Sequence, residues 1–192
     1  THRNLMGQVD GTANPKLGSS DFSEVVWIED GPAWIQGGTQ LVFRRIAMQL
    51  NTWDQLGTGA KEEVIGRKLS NGAPLTGINE EDAPDFAARH PNGLTVIPDF
   101  AHIRRASPQS VTDRMFRRPF SYEGQPASDG TPDVGLLWTA YQRDMTKQFI
   151  PVQRRLDELD LLNKWTVPIG SAEFAIAGGV TRGEVIAQAL FS

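Results

Sequence analysis

The stretch Gly7-Gln8-Val9-Asp10-Gly11-Thr12-Ala13-Asn14-Pro15 fixes one carboxylate in a tight turn bounded by glycines. Glycine permits backbone angles and close approaches that a side chain forbids, and Asn14-Pro15 reads as the start of a turn rather than of a helix. A carboxylate held that rigidly can shuttle a proton. It can equally do no more than bond nearby amides or cap a helix, and the turn alone leaves both readings open. A third use, as the nucleophile of a hydrolase, finds no partner base at convincing spacing.

The imidazoles are few: His2, His90 and His102. His2 at the chain end and His90, ahead of Pro91 in a polar loop, read as solvated surface residues. His102 follows Asp99-Phe100-Ala101 and precedes Ile103-Arg104-Arg105, at the edge of an ordered apolar segment with cations beside it. From those residues a structural histidine and a ligand both remain open. An iron porphyrin would give the set one purpose, with the imidazole on the metal, arginines on the propionates and an apolar strand as pocket wall. Peroxide cleavage would further need a proton carrier and a cation, roles that Asp10 and an arginine fit.

Composition narrows the classes. The 192 residues, 39% of them hydrophobic, suit one globular domain, and a net charge of −4 argues against a nucleic-acid groove. Arg104-Arg105, Arg117-Arg118 and Arg154-Arg155 are pairs rather than a stripe. The absence of cysteine removes disulfides, thiolate zinc sites, iron–sulfur clusters and covalent haem attachment, so a metal must be held by histidine, carboxylate or an organic cofactor. No apolar run reaches the length of a membrane span and no signal peptide is visible.

The elements that must position these residues read as follows. Val25 to Ile28 and Thr39 to Met48 are expected as strands, and Trp53 to Leu56 and Lys61 to Leu69 as short helical pieces. Asn71 to Pro98 is a long Gly-, Pro-, Asn- and Asp-rich loop. Val134 to Tyr141 is expected as a buried strand and Arg143 to Leu162 as a helix, on the spacing of Phe149, Val152, Leu156 and Leu159. Phe174 to Ile176 as a last short strand, a Gly178-Gly179 turn and a closing helix over Gly183 to Leu190 complete an α+β chain, an antiparallel sheet with helices on one face.

Several stretches in order resemble the dye-decolorizing peroxidases, haem enzymes of ferredoxin-like fold. They are Gly7-x-x-Asp10-Gly11, Ile65-Gly66-Arg67, Gly72-Ala73-Pro74-Leu75, Asp82-Ala83-Pro84-Asp85-Phe86, His102-Ile103-Arg104-x-Ala106, Arg117-Arg118-x-x-Ser121-Tyr122, Asp133-x-Gly135-Leu136-Leu137 and Pro168-Ile169-Gly170. The resemblance is greatest to the exported, iron-uptake-associated subgroup and covers the chain end to end. It implies that residues 1–192 are the haem-binding C-terminal half of a two-domain protein, with an N-terminal ferredoxin-like domain as partner, and it favours export while a cytoplasmic address stays open. It also implies one haem b per chain, with hydrogen peroxide and small aromatic donors such as dyes and phenols as substrates, turned over through a ferryl porphyrin radical. A homo-oligomer is left open, and a haem-handling protein with incidental peroxidase activity is the alternative.

Carried over by motif, the resemblance makes His102 the proximal iron ligand, Asp10 the distal acid–base residue and Arg117 the distal cation. Gly11, Thr12 and Ala13 line the haem edge, Ser107, Pro108 and Gln109 form the haem-side stretch after the histidine, and Arg104 pairs with a propionate. Leu136 and Trp138 take the places of a distal-pocket leucine and, in most relatives, a phenylalanine. The acid that relatives use to hold the proximal histidine aligns with Lys164, so that either Asn163 or an acid such as Asp160 substitutes or the iron is less well tuned for peroxide cleavage.

Overall fold

The computed structural model describes residues 3–191, so His2 lies outside the described residues. Five strands form one sheet: β1 (Thr39–Met48), β2 (Phe116–Arg117), β3 (Phe120–Glu123), β4 (Val134–Gln142) and β5 (Thr166–Ile176). The order is β2-β4-β1-β5, with β3 also on β4, and every pairing is antiparallel. Along β1, Arg44, Ile46 and Met48 share one face by the two-residue period, and Arg44 stands opposite Trp138 and Ile46 opposite Leu136 on β4. That face carries the site.

Helices α2 (Leu50–Trp53), α3 (Thr58–Ile65), α4 (His102–Ala106) and α5 (Phe149–Leu159) cover it. Met48 and Leu136 pack with Trp53, Val64, Ile65 and Leu162, while Ala140 packs with Met115 and Val152. Helix α1 (Ser20–Val26) sits elsewhere, with Phe22 edge-on to Phe116 at the β2 end. The segment expected as a strand over 25–28 thus contributes its first two residues to a helix. Phe22, Val25 and Val26 are buried at three- and four-residue spacing, and the Ser19 hydroxyl caps the helix by accepting from the Phe22 amide.

Other expectations change as well, and the short helical pieces expected over 53–56 and 61–69 form at Leu50–Trp53 and Thr58–Ile65. The helix expected over Arg143 to Leu162 begins at Phe149, because the buried Gln148 side chain donates to the carbonyls of Val25 and Arg114 and fixes 143–148 as a loop. The last strand is 11 residues long, with a bulge where Ile46 pairs with Pro168, an arrangement that suits an edge strand because proline has no amide to offer the ladder. The closing segment forms turns and a single 3-10 turn, Gln188–Leu190. Val185, Ile186 and Leu190 stay exposed there, so no packed face holds a helix together. No helix among the described residues is long and apolar enough to cross a membrane.

Candidate haem site

His102 opens α4, and two contacts decide what surrounds it. The Leu161 amide donates to the Phe100 carbonyl at 3.1 Å, tying the chain after α5 to the residues just before α4. Asp160, the residue that ends α5, thereby meets His102 with Nδ1 to Oδ2 at 2.6 Å, while its other oxygen caps the next turn by accepting from the Leu162 amide. Behind α4, Gly66 ends α3 at φ 88°, and a Cβ there would lie 2.6 Å from the Ile103 side chain. Only glycine lets α4 approach so closely.

Across the site, the turn holding Asp10 is pinned to β2 by Asn14. Its side chain donates to the Arg117 carbonyl at 2.7 Å and accepts from the Arg117 amide at 3.1 Å. Gly11 at φ 103° makes the turn possible, and a Cβ there would come 2.9 Å from the Asn14 amide nitrogen. The pinning brings Asp10 Oδ1 to 3.3 Å from Arg117 Nε, and Asp10 Oδ2 accepts from the Trp138 indole at 3.0 Å. The carboxylate is held by a cation on one side and a neutral donor on the other.

Between these two groups lies a cavity of about 510 Å³, within the size range of cofactor pockets. Asp10, Gly11, Thr12, Ala13, His102, Ser107, Pro108, Arg117, Leu136 and Trp138 all line it. Arg104 and Gln109 are not among its lining residues. The Arg104 guanidinium instead donates to the carbonyls of Ile97 and Phe86 and lies over the Phe86 ring, bracing the long loop. The Gln109 amide donates to Asp113. No residue of 71–98 reaches the cavity, and His90 is exposed.

The imidazole's surroundings set its protonation. Burial pulls its pKa down most strongly, but the charge and hydrogen bond of Asp160, with Asp10 farther off, outweigh this against opposition from Arg117, and the value lies above the ordinary 6.5. The His102 side chain is 35% exposed, on the cavity wall, while the Asp160 side chain is only 2% exposed. With Nδ1–H donated to Asp160, Nε2 is left as the nitrogen with a free lone pair. Asp160, 58 residues away in sequence, therefore supplies the partner expected near Lys164. Lys164 is not among the lining residues.

The walls fit a porphyrin. Among the described residues no group of three or more His, Asp or Glu could hold a bare metal ion, so a single imidazole suits a metal that brings its other ligands along. Gln8 lies on the wall 7% exposed, with neither amide atom partnered, as the polar edge of a bound molecule would satisfy. Sequence reasoning missed Gln8, the clamp by Asn14, and Arg44, a wall residue that donates to Gln153 at 2.5 Å. The signal for Arg44 was its place in the Arg44-Ile46-Met48 alternation, on the core-facing side of β1.

The family described as Dyp-type peroxidase, C-terminal, matches residues 1–181. The chain belongs to that family. A dye-decolorizing peroxidase of Thermobifida fusca is 47% identical over 182 residues, covering 92% of this chain and 42% of that protein. A deferrochelatase of Yersinia pestis is 38% identical, covering 97% of this chain and 44% of its own length. The crystal structure of a DyP-type peroxidase from Cellulomonas bogoriensis superposes with a TM-score of 0.93 at 51% identity, over 98% of this chain and 52% of that one. The chain spans about half the length of the relatives it matches, and the α+β, ferredoxin-like fold is that of the DyP-type peroxidases.

Proposed function

We propose that this chain is the haem-bearing half of a peroxidase that reduces hydrogen peroxide and oxidises dyes, phenols or similar one-electron donors. One observation carries the reading: a free imidazole nitrogen and an arginine-paired carboxylate line the same cavity. His102 Nε2 would hold the iron of one haem b, with Gly11, Thr12, Ala13, Ser107, Pro108, Leu136 and Trp138 as walls. Bound haem supplies the two-electron chemistry of O–O cleavage.

The residues do the rest. Asp10 accepts the peroxide proton and returns it to the departing oxygen. Arg117 stabilises the charge that develops there. Asp160 keeps the His102 proton on Nδ1 and makes the imidazole a stronger donor. The exposed apolar residues of β5, Ile169 and Phe174 among them, support the second ferredoxin-like domain as a partner. Export rests on the family resemblance, and fractionation of cells expressing the whole protein tests it.

A haem titration followed by peroxide and a phenolic donor tests the function. One equivalent of haem gives a Soret band that His102→Ala shifts or abolishes, and donor oxidation follows peroxide addition. A relative named deferrochelatase favours haem handling as a second reading. A chain that takes up haem and turns over no donor would establish that reading instead.

A further inference from the structure

Trp138 stands where the family resemblance implies phenylalanine, and its indole nitrogen does what phenylalanine cannot. It donates to Asp10 Oδ2 at 3.0 Å, while Arg117 Nε takes Oδ1 at 3.3 Å. We propose that Trp138 is a positioning residue that fixes the rotamer of Asp10 and restricts where its proton can go. The inference rests on the proton-carrying role given to Asp10 above.

Three observations support it. The indole is rigidly mounted on the central strand β4, opposite Arg44 on β1, and it packs against Phe149 at a ring-centroid distance of 5.9 Å. The acid itself sits in a loop turn that Asn14 pins to the backbone of Arg117. The indole therefore adds a second side-chain contact to the sheet, holding Oδ2 as Arg117 holds Oδ1, and the two together fix the direction of the carboxylate. The indole N–H is also a donor only. It cannot take the proton from Asp10, so it occupies one acceptor position on Oδ2 without opening a route for the proton away from the cavity. A phenylalanine would leave that oxygen free to turn, and reactions that need a group within hydrogen-bond reach lose rate steeply when it is misplaced.

Two readouts test this, one of them independent of peroxide chemistry. In the chain loaded with zinc protoporphyrin, the indole N–H resonance assigned to Trp138 by its loss in Trp138→Phe moves in Asp10→Ala, while the other tryptophan indoles stay in place. With haem, replacing Trp138 by benzothienylalanine, which keeps the ring shape and removes only the N–H, slows the reaction with peroxide about tenfold, the lower end of what a hydrogen bond to a charged group is worth. The same replacement made on Asp10→Ala has no further effect, because the group it acts through is gone. An indole resonance indifferent to Asp10→Ala overturns the proposal even when no peroxide reaction occurs. So does an analogue that reacts at the wild-type rate or slows Asp10→Ala by the same factor. Absence of any peroxide reaction in the wild type, with the resonance shift intact, removes the proposed function and leaves the clamp standing.

Discussion

Asp160→Asn separates the charge of the proximal carboxylate from its shape. Asp160 makes two bonds, one from the Leu162 amide at 3.0 Å and one to His102 Nδ1 at 2.6 Å. Asparagine caps as well as aspartate, so its single carbonyl oxygen stays on the Leu162 amide and its NH2 group is left facing His102. Two donors cannot bond, so the imidazole changes tautomer, Nδ1 becoming the acceptor and Nε2 taking the proton. The nitrogen needed for iron is then blocked. Loss of such a partner typically lowers metal affinity 10- to 100-fold, about 1.4–2.7 kcal/mol.

The variant also removes the chief influence raising the His102 pKa. In the wild-type chain without haem, the raised value stabilises the fold below the unfolded pKa near 6.5, and that contribution is lost as pH rises through the folded value. In Asp160→Asn burial and Arg117 outweigh Asp10 and hold the His102 pKa below its ordinary value, so this dependence reverses and stability falls as pH drops. Protons compete with iron for Nε2, so wild-type haem affinity falls as pH drops through the raised pKa. Nitrogen NMR of the imidazole reads tautomer and titration, and a haem titration reads affinity. An unchanged tautomer with affinity within twofold of wild type would refute the reasoning.

Asn14→Ala removes both bonds to the Arg117 backbone and is expected to cost roughly 1–3 kcal/mol, read by denaturant unfolding, and to slow peroxide reactivity by freeing the Asp10 turn. Gly11→Ala meets both a positive φ and a 2.9 Å contact, and a cost of about 1–3 kcal/mol shows as a lower melting temperature. Asp113 lies on the wall near Ser107. Burial pushes its pKa up, but the amides of Gln109 and Ser110 and the Arg155 guanidinium outweigh that, so its carboxyl titrates below the ordinary 3.8. Its stabilisation is complete above the unfolded pKa and is lost as pH falls through the folded one. Asp113→Asn therefore gives a flatter acid limb in stability against pH, measured by urea midpoints between pH 5 and 2.

The sequence made the distal side legible because its signal is local. Asp10 and its glycines are neighbours in the chain, and the turn chemistry of Gly11 can be read from residue type. The proximal partner is not local: Asp160 reaches His102 only because Leu161 bonds to Phe100, a tertiary contact with no sequence pattern. The resemblance aligned the family's acid with Lys164 and left Asn163 or an acid such as Asp160 to substitute; Asp160 does so, and Lys164 lies within the 3-10 turn that Asp160 caps. Val25 and Val26 read as strand because a short apolar run carries no period of its own. Phe22 three residues earlier and Ser19 at the cap held the helical signal. Of β5 only Phe174 to Ile176 was legible, its earlier part being hidden by Pro168 and Gly170, residues that an edge strand tolerates. Arg104 was assigned by motif to a propionate, yet its guanidinium is spent on loop carbonyls, a choice only the fold reveals.

The central claim is that Asp10 carries the proton for peroxide cleavage beside a haem on His102. Stopped-flow mixing of the haem-loaded chain with hydrogen peroxide, wild type against Asp10→Asn, tests it most directly. The account predicts resting haem spectra that match and an absorbance change slowed by roughly 10²–10⁴ in the variant, the span of general acid–base catalysis. Equal rates in the two proteins, with haem bound to both, would contradict it.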